Sequence, residues 1–220
     1  MLIDFKKILH KQPAKRQTSV QNSRIDEKYL GDLTINDITD LDYKISIGRA
    51  PASPRYINNA QAYKFDKACL SRDIEFLNIH FDIDTIIDAR NPKYEGVECI
   101  KAEEKMCRKK GVKYVNIPLD SAIAPNDEEL KLLFSAINNS RKRVYIHCHA
   151  GKDRTGILSS CYLAKKYKMS PDEAFRKVFD ERPDREHDNR PIQRLKYMSN
   201  PYRPEEKNKF LSILENLASE

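Results

Sequence analysis

From residue 43 onward the chain alternates between two rhythms of apolar and polar positions. Short β-branched runs mark strands: "YKISIGRAP" (43–51), stopped by Pro51, then "DTIIDAR" (84–90), "VKYVNIPL" (112–119), ended near Pro118, and "RVYIHC" (143–148). Between them the period lengthens to that of a helix. Ile74, Leu77 and Phe81 share a face of "SRDIEFLNIHF" (71–81), and "KAEEKMCRKKG" (101–111) has Gly111 placed as a C-terminal stop. "NDEELKLLFSAINNS" (126–140) carries acids in its first turn, where the helix dipole favours them, and aligns Leu130, Leu133, Phe134 and Ile137. Helices then dominate, at 154–168, 171–182, 191–198 and about 204–218. Ser170, Pro171 and Glu173 start the second of these with an N-cap, a first-turn proline and a capping-box acid.

Strands alternating with helices predict an α/β fold: a central, mainly parallel sheet of about four to five strands flanked by helices. A chain of 220 residues fills one hydrophobic core and leaves little for a second. One domain is therefore expected over 29–220, including the C-terminal helix, with 1–28 as a basic extension. In that extension Leu2, Phe5 and Leu9, with Lys6, Lys7 and Lys11, outline a short amphipathic helix before Pro13. Such a helix suits peripheral contact with an acidic membrane; a tail or a turn packed on the domain is the plainer alternative. Asp4 and Lys6 break the apolar start, unlike a secretory signal, and no window approaches the roughly 18 apolar residues of a membrane span. A cytoplasmic location is expected, with membrane-surface association or delivery by a secretion system left open.

The candidate chemistry lies in "RVYIHCHAGKDRTGILSSCYLAKK" (143–166). A strand ends at Cys148, the chain turns through His149, Ala150, Gly151, Lys152 and Asp153, and a helix opens at Arg154. In open α/β sheets ligands bind beyond the carboxyl ends of strands. Backbone N–H groups of such a turn make a concave anion site, and the positive end of the following helix adds to it. Gly151 and Gly156 relieve backbone crowding there. A tetrahedral phosphate is the natural occupant, with Arg154 binding two of its oxygens. The same field favours a thiolate on Cys148, an in-line nucleophile beneath the phosphate. Thr155 has a hydroxyl expected to hydrogen-bond the sulfur and ease its departure. The leaving oxygen needs a proton from a carboxylic acid. Asp120, directly after the strand that ends in "NIPLD", is one candidate and Asp153, inside the turn, another; Asp127 fits better as part of a helix's first turn.

"HCHAGKDRTG" (147–156) resembles the H-C-x-x-G-x-x-R-[ST]-G signature of the cysteine-based protein tyrosine and dual-specificity phosphatases. "ISIGRAP", "IDTIIDAR", "YVNIPL", "SPDEAFRKVFDERP" and "PIQRLKYM" resemble other segments of small dual-specificity-type enzymes, so the resemblance spans about 43–198. It implies a dual-specificity phosphatase-like fold and hydrolysis of phosphate monoesters through a phosphocysteine, without metal or cofactor. Cys148 would be the nucleophile, Arg154 the phosphate binder, Thr155 the hydroxyl assisting breakdown of the intermediate and Asp120 the acid of the mobile loop. His147 would be a hydrogen-bonding partner near the thiolate. The loop departs from the tryptophan-proline-aspartate pattern of tyrosine-specific members, since the chain has no Trp. His149 and Lys152 give the turn a basic character similar to phosphoinositide and inositol-phosphate phosphatases. The expected substrate is thus a phosphoinositide or inositol phosphate and/or a phosphoprotein. The alternatives are a phosphotyrosine or dual-specificity protein phosphatase without lipid activity, or a catalytically silent phosphate-binding module.

Charge and cysteine content alter this little. A net charge of +7 suits an anionic partner, but no zinc-finger or RNP-type motif points to nucleic acid. Five cysteines without C-x-x-C spacing read as free thiols. Cys161 is expected to pack in the core, while Cys69, Cys99 and Cys107 are candidates for an oxidative bridge to Cys148. A rhodanese-like cysteine loop is disfavoured by Arg-Thr-Gly and the upstream acid. A nucleotide-binding P-loop is disfavoured by Ile146 where its first glycine belongs.

Overall fold

The computed structural model describes residues 33–52, 67–120, 123–180 and 204–220. The extension 1–28 and the helix expected at 191–198 lie outside the described residues. After a 3-10 turn at Ile35–Asp37 come β1 (Ile38–Asp40), β2 (Ile45–Arg49), α1 (Lys67–Phe81), β3 (Ile83–Asp88) and the single-turn α2 (Pro92–Glu95). These are followed by α3 (Val97–Lys109), β4 (Lys113–Asn116), α4 (Asp127–Asn138), β5 (Arg143–Cys148), α5 (Asp153–Tyr167), α6 (Pro171–Asp180) and α7 (Pro204–Ser219).

Local signals explain most boundaries. Gly111 takes φ 71°, and the N–H of Val112 closes back on the Cys107 carbonyl at 2.9 Å, so α3 ends in a left-handed cap. Asn126 accepts from the N–H groups of Glu128 and Glu129, and Glu129 returns to the Asn126 N–H at 2.7 Å. Asp127 thereby takes its place in the first turn of α4. Ser170 and Glu173 form the same reciprocal box at the start of α6. Two elements escaped the sequence pattern. Edge strand β1 is too short for alternation to register; Asp42 fixes the turn behind it by accepting the N–H groups of Lys44 and Ile45. The helix expected from 101 starts at Val97, preceded by α2, which Asn91 caps by accepting the Lys93 N–H.

The sheet runs β1-β2-β5-β3-β4; β1 pairs antiparallel with β2 and every other pairing is parallel. Both faces are covered, as strands joined by crossover helices require. Ile45, Ile47, Ile87, Val144 and Ile146 point into one apolar cluster with α4–α7, closed by Phe175, Phe210 and Leu214. Ile83, Ile86 and Tyr145 point the other way, against Leu70, Ile74 and Leu77 of α1 and Cys107 of α3. Successive residues of β3 and β5 thus serve opposite cores. After β3 the chain leaves on the α3 face, and after β5 on the α5 face. Their carboxyl ends therefore diverge and leave a crevice between neighbouring strands.

Candidate active site

Cys148 is the last residue of β5, 3 % exposed, and lies opposite Arg49 of β2. The strands on either side hold the start of the turn: the Ala89 N–H donates to the His147 carbonyl at 2.7 Å, and the Ala50 N–H to the His149 carbonyl at 3.0 Å. Gly151 has φ 65°, and a Cβ there would stand 2.0 Å from the Gly48 carbonyl oxygen. Only glycine lets the turn press so closely on β2. Asp153 opens α5 and Arg154 follows in its first turn. Thr155 is buried, but its Oγ1 has no hydrogen-bond partner among the described residues. The standing bond to the sulfur expected from the sequence is therefore not made.

Beneath the turn lies a group of buried charges. His147 is paired with Asp88 of β3 in the sheet register. Its Nε2 meets Glu103 Oε1 at 2.8 Å, and its Nδ1 lies 3.0 Å from the Cys148 carbonyl oxygen. Arg90 donates from Nε and a terminal nitrogen to Asp88, at 2.9 and 2.6 Å, and reaches Glu103 with the same terminal nitrogen. The Tyr114 hydroxyl donates to Asp88 at 2.6 Å. Burial pulls the His147 pKa down, but Glu103 and Asp88 outweigh it and the net shift is upward. Burial likewise opposes ionisation of Asp88, and His147 and Arg90 reverse that, so its pKa falls. His147 is thus favoured as an imidazolium whose Nδ1–H donates to the Cys148 carbonyl. Asp88, Glu103 and His147 offer three ligand atoms within 4.8 Å of one another. A metal ion there would have to displace the Arg90 guanidinium and the imidazolium proton, so the residues fit an ion-pair cluster and not a metal centre.

Above the turn a cavity of about 500 Å³ opens in the crevice. Cys148, His149, Ala150, Lys152, Asp153 and Arg154 form one wall; Arg90, Tyr94, Glu95 and Cys99 form the other. The sequence-predicted residues of the turn are therefore brought together. The far wall is built by the segment after β3, of which sequence reasoning had singled out only Cys99, as a candidate for an oxidative bridge. Glu95 of α2 forms an ion pair with Arg154, the side chains being 13 % and 12 % exposed. Its other carboxylate oxygen accepts the Asn91 N–H at 3.0 Å. Burial lowers the Arg154 pKa, but the bond it donates to Glu95 and the nearby Cys148 sulfur more than restore it. Arg90 is occupied by its two carboxylates. Burial also lowers the pKa of His149, against the pull of Glu95, so this imidazole is neutral near neutral pH. Lys152 is exposed at the cavity rim.

Asp120 is half-buried and does not line the cavity. It is tied to it through Tyr94, whose hydroxyl donates to Asp120 Oδ2 at 2.8 Å. Of the other thiols, Cys161 is buried in the α5 core, and Cys69 and Cys107 in the cluster with α1 and α3. Cys99 shares the cavity with Cys148, and all five cysteines are free. One missed feature was legible: Ile100, Glu103 and Cys107 share a helical stripe, so Glu103 stands among buried positions. Tyr94 and Glu95 left no such mark.

Comparison with known proteins agrees with this geometry. The family model described as PTP-NADK, a DSP-PTPase phosphatase fused to NAD+ kinase, matches residues 77–200, more than half of the chain. The chain belongs to this family. By that description it is a family of the DSP-PTPase type, within the dual-specificity and tyrosine phosphatase superfamily. The tyrosine-protein phosphatase cdc-14 of Caenorhabditis elegans is 26 % identical over 102 residues, covering 44 % of this chain and 13 % of that protein. The chain thus spans a small fraction of this curated relative. Among solved structures, PTPMT1 in complex with PI(5)P superposes with a TM-score of 0.56 at 17 % identity, covering 83 % of this chain and 95 % of that one. Tk-PTP gives 0.53 at 20 % identity over 82 % and 95 %. TpbA of P. aeruginosa, in complex with pTyr, gives 0.51 at 11 % identity over 86 % and 98 %. At these identities the solved structures establish the dual-specificity phosphatase-like fold, α/β with a mainly parallel five-stranded sheet.

Proposed function

We propose that this phosphatase hydrolyses phosphate monoesters through a phosphocysteine on Cys148, within one domain spanning 29–220. The observation that carries the reading is the placing of Cys148 and Arg154 on one cavity wall at the carboxyl end of β5. In the first step the Cys148 sulfur attacks phosphorus and the bond to the leaving oxygen breaks. That oxygen takes the proton of Asp120. In the second step water attacks phosphorus, Asp120 accepts its proton, the S–P bond breaks and the thiolate is restored. The amides of residues 149–154 and the N-terminal end of α5 stabilise the charge on the phosphoryl oxygens. Arg154 turns from Glu95 toward two of those oxygens, a planar fork that suits them. The unpartnered Thr155 hydroxyl supports a role in stabilising the departing sulfur. Asp153, first in α5 and exposed, is the competing acid; its position also suits offsetting the helix dipole.

The substrate we infer is a phosphoinositide or inositol phosphate, and/or a phosphoprotein. Lys152 at the rim supports a substrate with a further negative charge. His149, being neutral, does not add to that support. Two measurements test the reading. A radiolabelled phosphate ester quenched in acid should leave label on Cys148 and none on Cys148→Ser; label elsewhere overturns the covalent step. Phosphate release from phosphoinositides in vesicles, soluble inositol phosphates and phosphopeptides should be fastest with the first two. Turnover of phosphopeptides alone would overturn the lipid assignment and leave the chemistry standing.

A further inference from the structure

The segment after β3 touches both functional loops at once. Glu95 binds Arg154, and one residue earlier Tyr94 binds Asp120. Tyr94 lines the cavity, whereas Asp120 does not, and the ring is 57 % exposed at the mouth. The Lys93 ammonium lies 5.5 Å from the ring centroid. Asp120 follows β4 and Tyr94 follows β3, so this contact spans two loops that leave neighbouring parallel strands. Glu95 is anchored through the Asn91 N–H, and the Cys99 thiol donates to the Glu95 carbonyl at 3.1 Å. The tyrosine therefore projects from a braced turn, and its hydroxyl reaches across to the carboxylate that follows β4.

We propose that Tyr94 is a positioning residue for the general acid: its hydroxyl holds Asp120 beside the cavity mouth, where the leaving oxygen emerges. The proposal rests on Asp120 being the acid. Proton transfer needs donor and acceptor within hydrogen-bond reach, so a contact that orients the carboxyl raises the fraction of time it is poised to act. One carboxylate oxygen fixed by a phenol restricts the side chain to a narrow set of orientations. The ring also forms part of the wall that the departing group must pass. With Asp120 protonated for the first step, the bond is one to a neutral carboxyl, which leads to an expected effect of about five- to tenfold.

The experiment compares Tyr94→Phe, Asp120→Ala and the double variant on aryl phosphates of graded leaving-group acidity. Asp120→Ala should lose about 10²- to 10⁴-fold in kcat/KM on poor leaving groups and far less on activated ones. Tyr94→Phe should show the same leaving-group dependence at about a tenth of normal rate on the poorest esters. The double variant should be no worse than Asp120→Ala. Orthovanadate affinity and melting temperature of Tyr94→Phe should match the parent, because the ring remains. Equal losses on all esters, a wild-type profile, or additive losses in the double variant would each overturn the role of Tyr94. A flat leaving-group profile in Asp120→Ala would instead overturn the acid assignment on which it rests.

Discussion

Below the phosphate turn and across its mouth the protein uses carboxylates to hold cationic or polar side chains, in two very different surroundings. Beneath Cys148, Asp88 and Glu103 meet Arg90 and His147 with none of the four side chains more than 4 % exposed. No water competes there, and removing one partner strands another in a medium that cannot solvate it. At the mouth, Glu95 meets Arg154 with both partly exposed, and Tyr94 meets Asp120 at the surface. Water reaches these contacts, and in the proposed mechanism substrate takes their place. The lower set fixes the backbone from which Cys148 hangs; in the proposed mechanism the upper set lets go for turnover. On that proposal, access to water separates the pairs that serve stability from those that serve turnover.

The sharpest attack on this contrast is at the nucleophile. Cys148→Ser should lower turnover to background while orthovanadate still binds by calorimetry, because the turn and the charges beneath it persist. Wild-type-like turnover would break the comparison at its root. Glu103→Gln comes next and should cost about 3–5 kcal/mol of folding stability by chemical denaturation. The loss should depend on pH. The His147 pKa is raised in the folded state, so its pairing contributes fully below the unfolded imidazole value of about 6.5 and fades as pH rises through the raised value. The deficit of Glu103→Gln should therefore narrow on the alkaline side; a constant deficit would mean that the imidazolium is not the partner.

Arg154→Lys at the mouth should reverse the pattern, with stability nearly intact and kcat/KM down about 10²- to 10³-fold. A large fall in melting temperature would place Arg154 among the structural charges instead. The smallest effect is expected at a fully solvated pair, Arg108 and Glu104 on α3, 3.0 Å apart. Arg108→Ala should change stability by at most about 0.5 kcal/mol and vary with salt. A larger, salt-independent change would show that exposure is not what separates the two regions.

Much of the architecture was legible in the chain. Runs such as "DTIIDAR" and "RVYIHC" announce strands because nearly every side chain of a central parallel strand is buried. Gly111 and the Ser170–Glu173 box announce helix ends because unpaired backbone groups there demand particular partners. Strand β1 was invisible, since three residues carry too little alternation and its pairing is set by a turn. The turn 148–154 could be read because its chemistry is contiguous. Its far wall could not, because Tyr94 and Glu95 acquire meaning only when β3 is laid beside β5 and β4. The expected charge of His149 also failed in the fold, where burial disfavours its cationic form.

Sequence alone determined which residues would supply a thiol, a guanidinium and a glycine that could take a positive φ, because one strand-to-helix turn carries them all. It also determined the two-sided sheet, since local periodicity follows from backbone geometry. Only the tertiary structure decided which carboxylates face those groups and whether water reaches them. Such pairings join residues far apart along the chain, and their strength depends on a burial that no local pattern encodes.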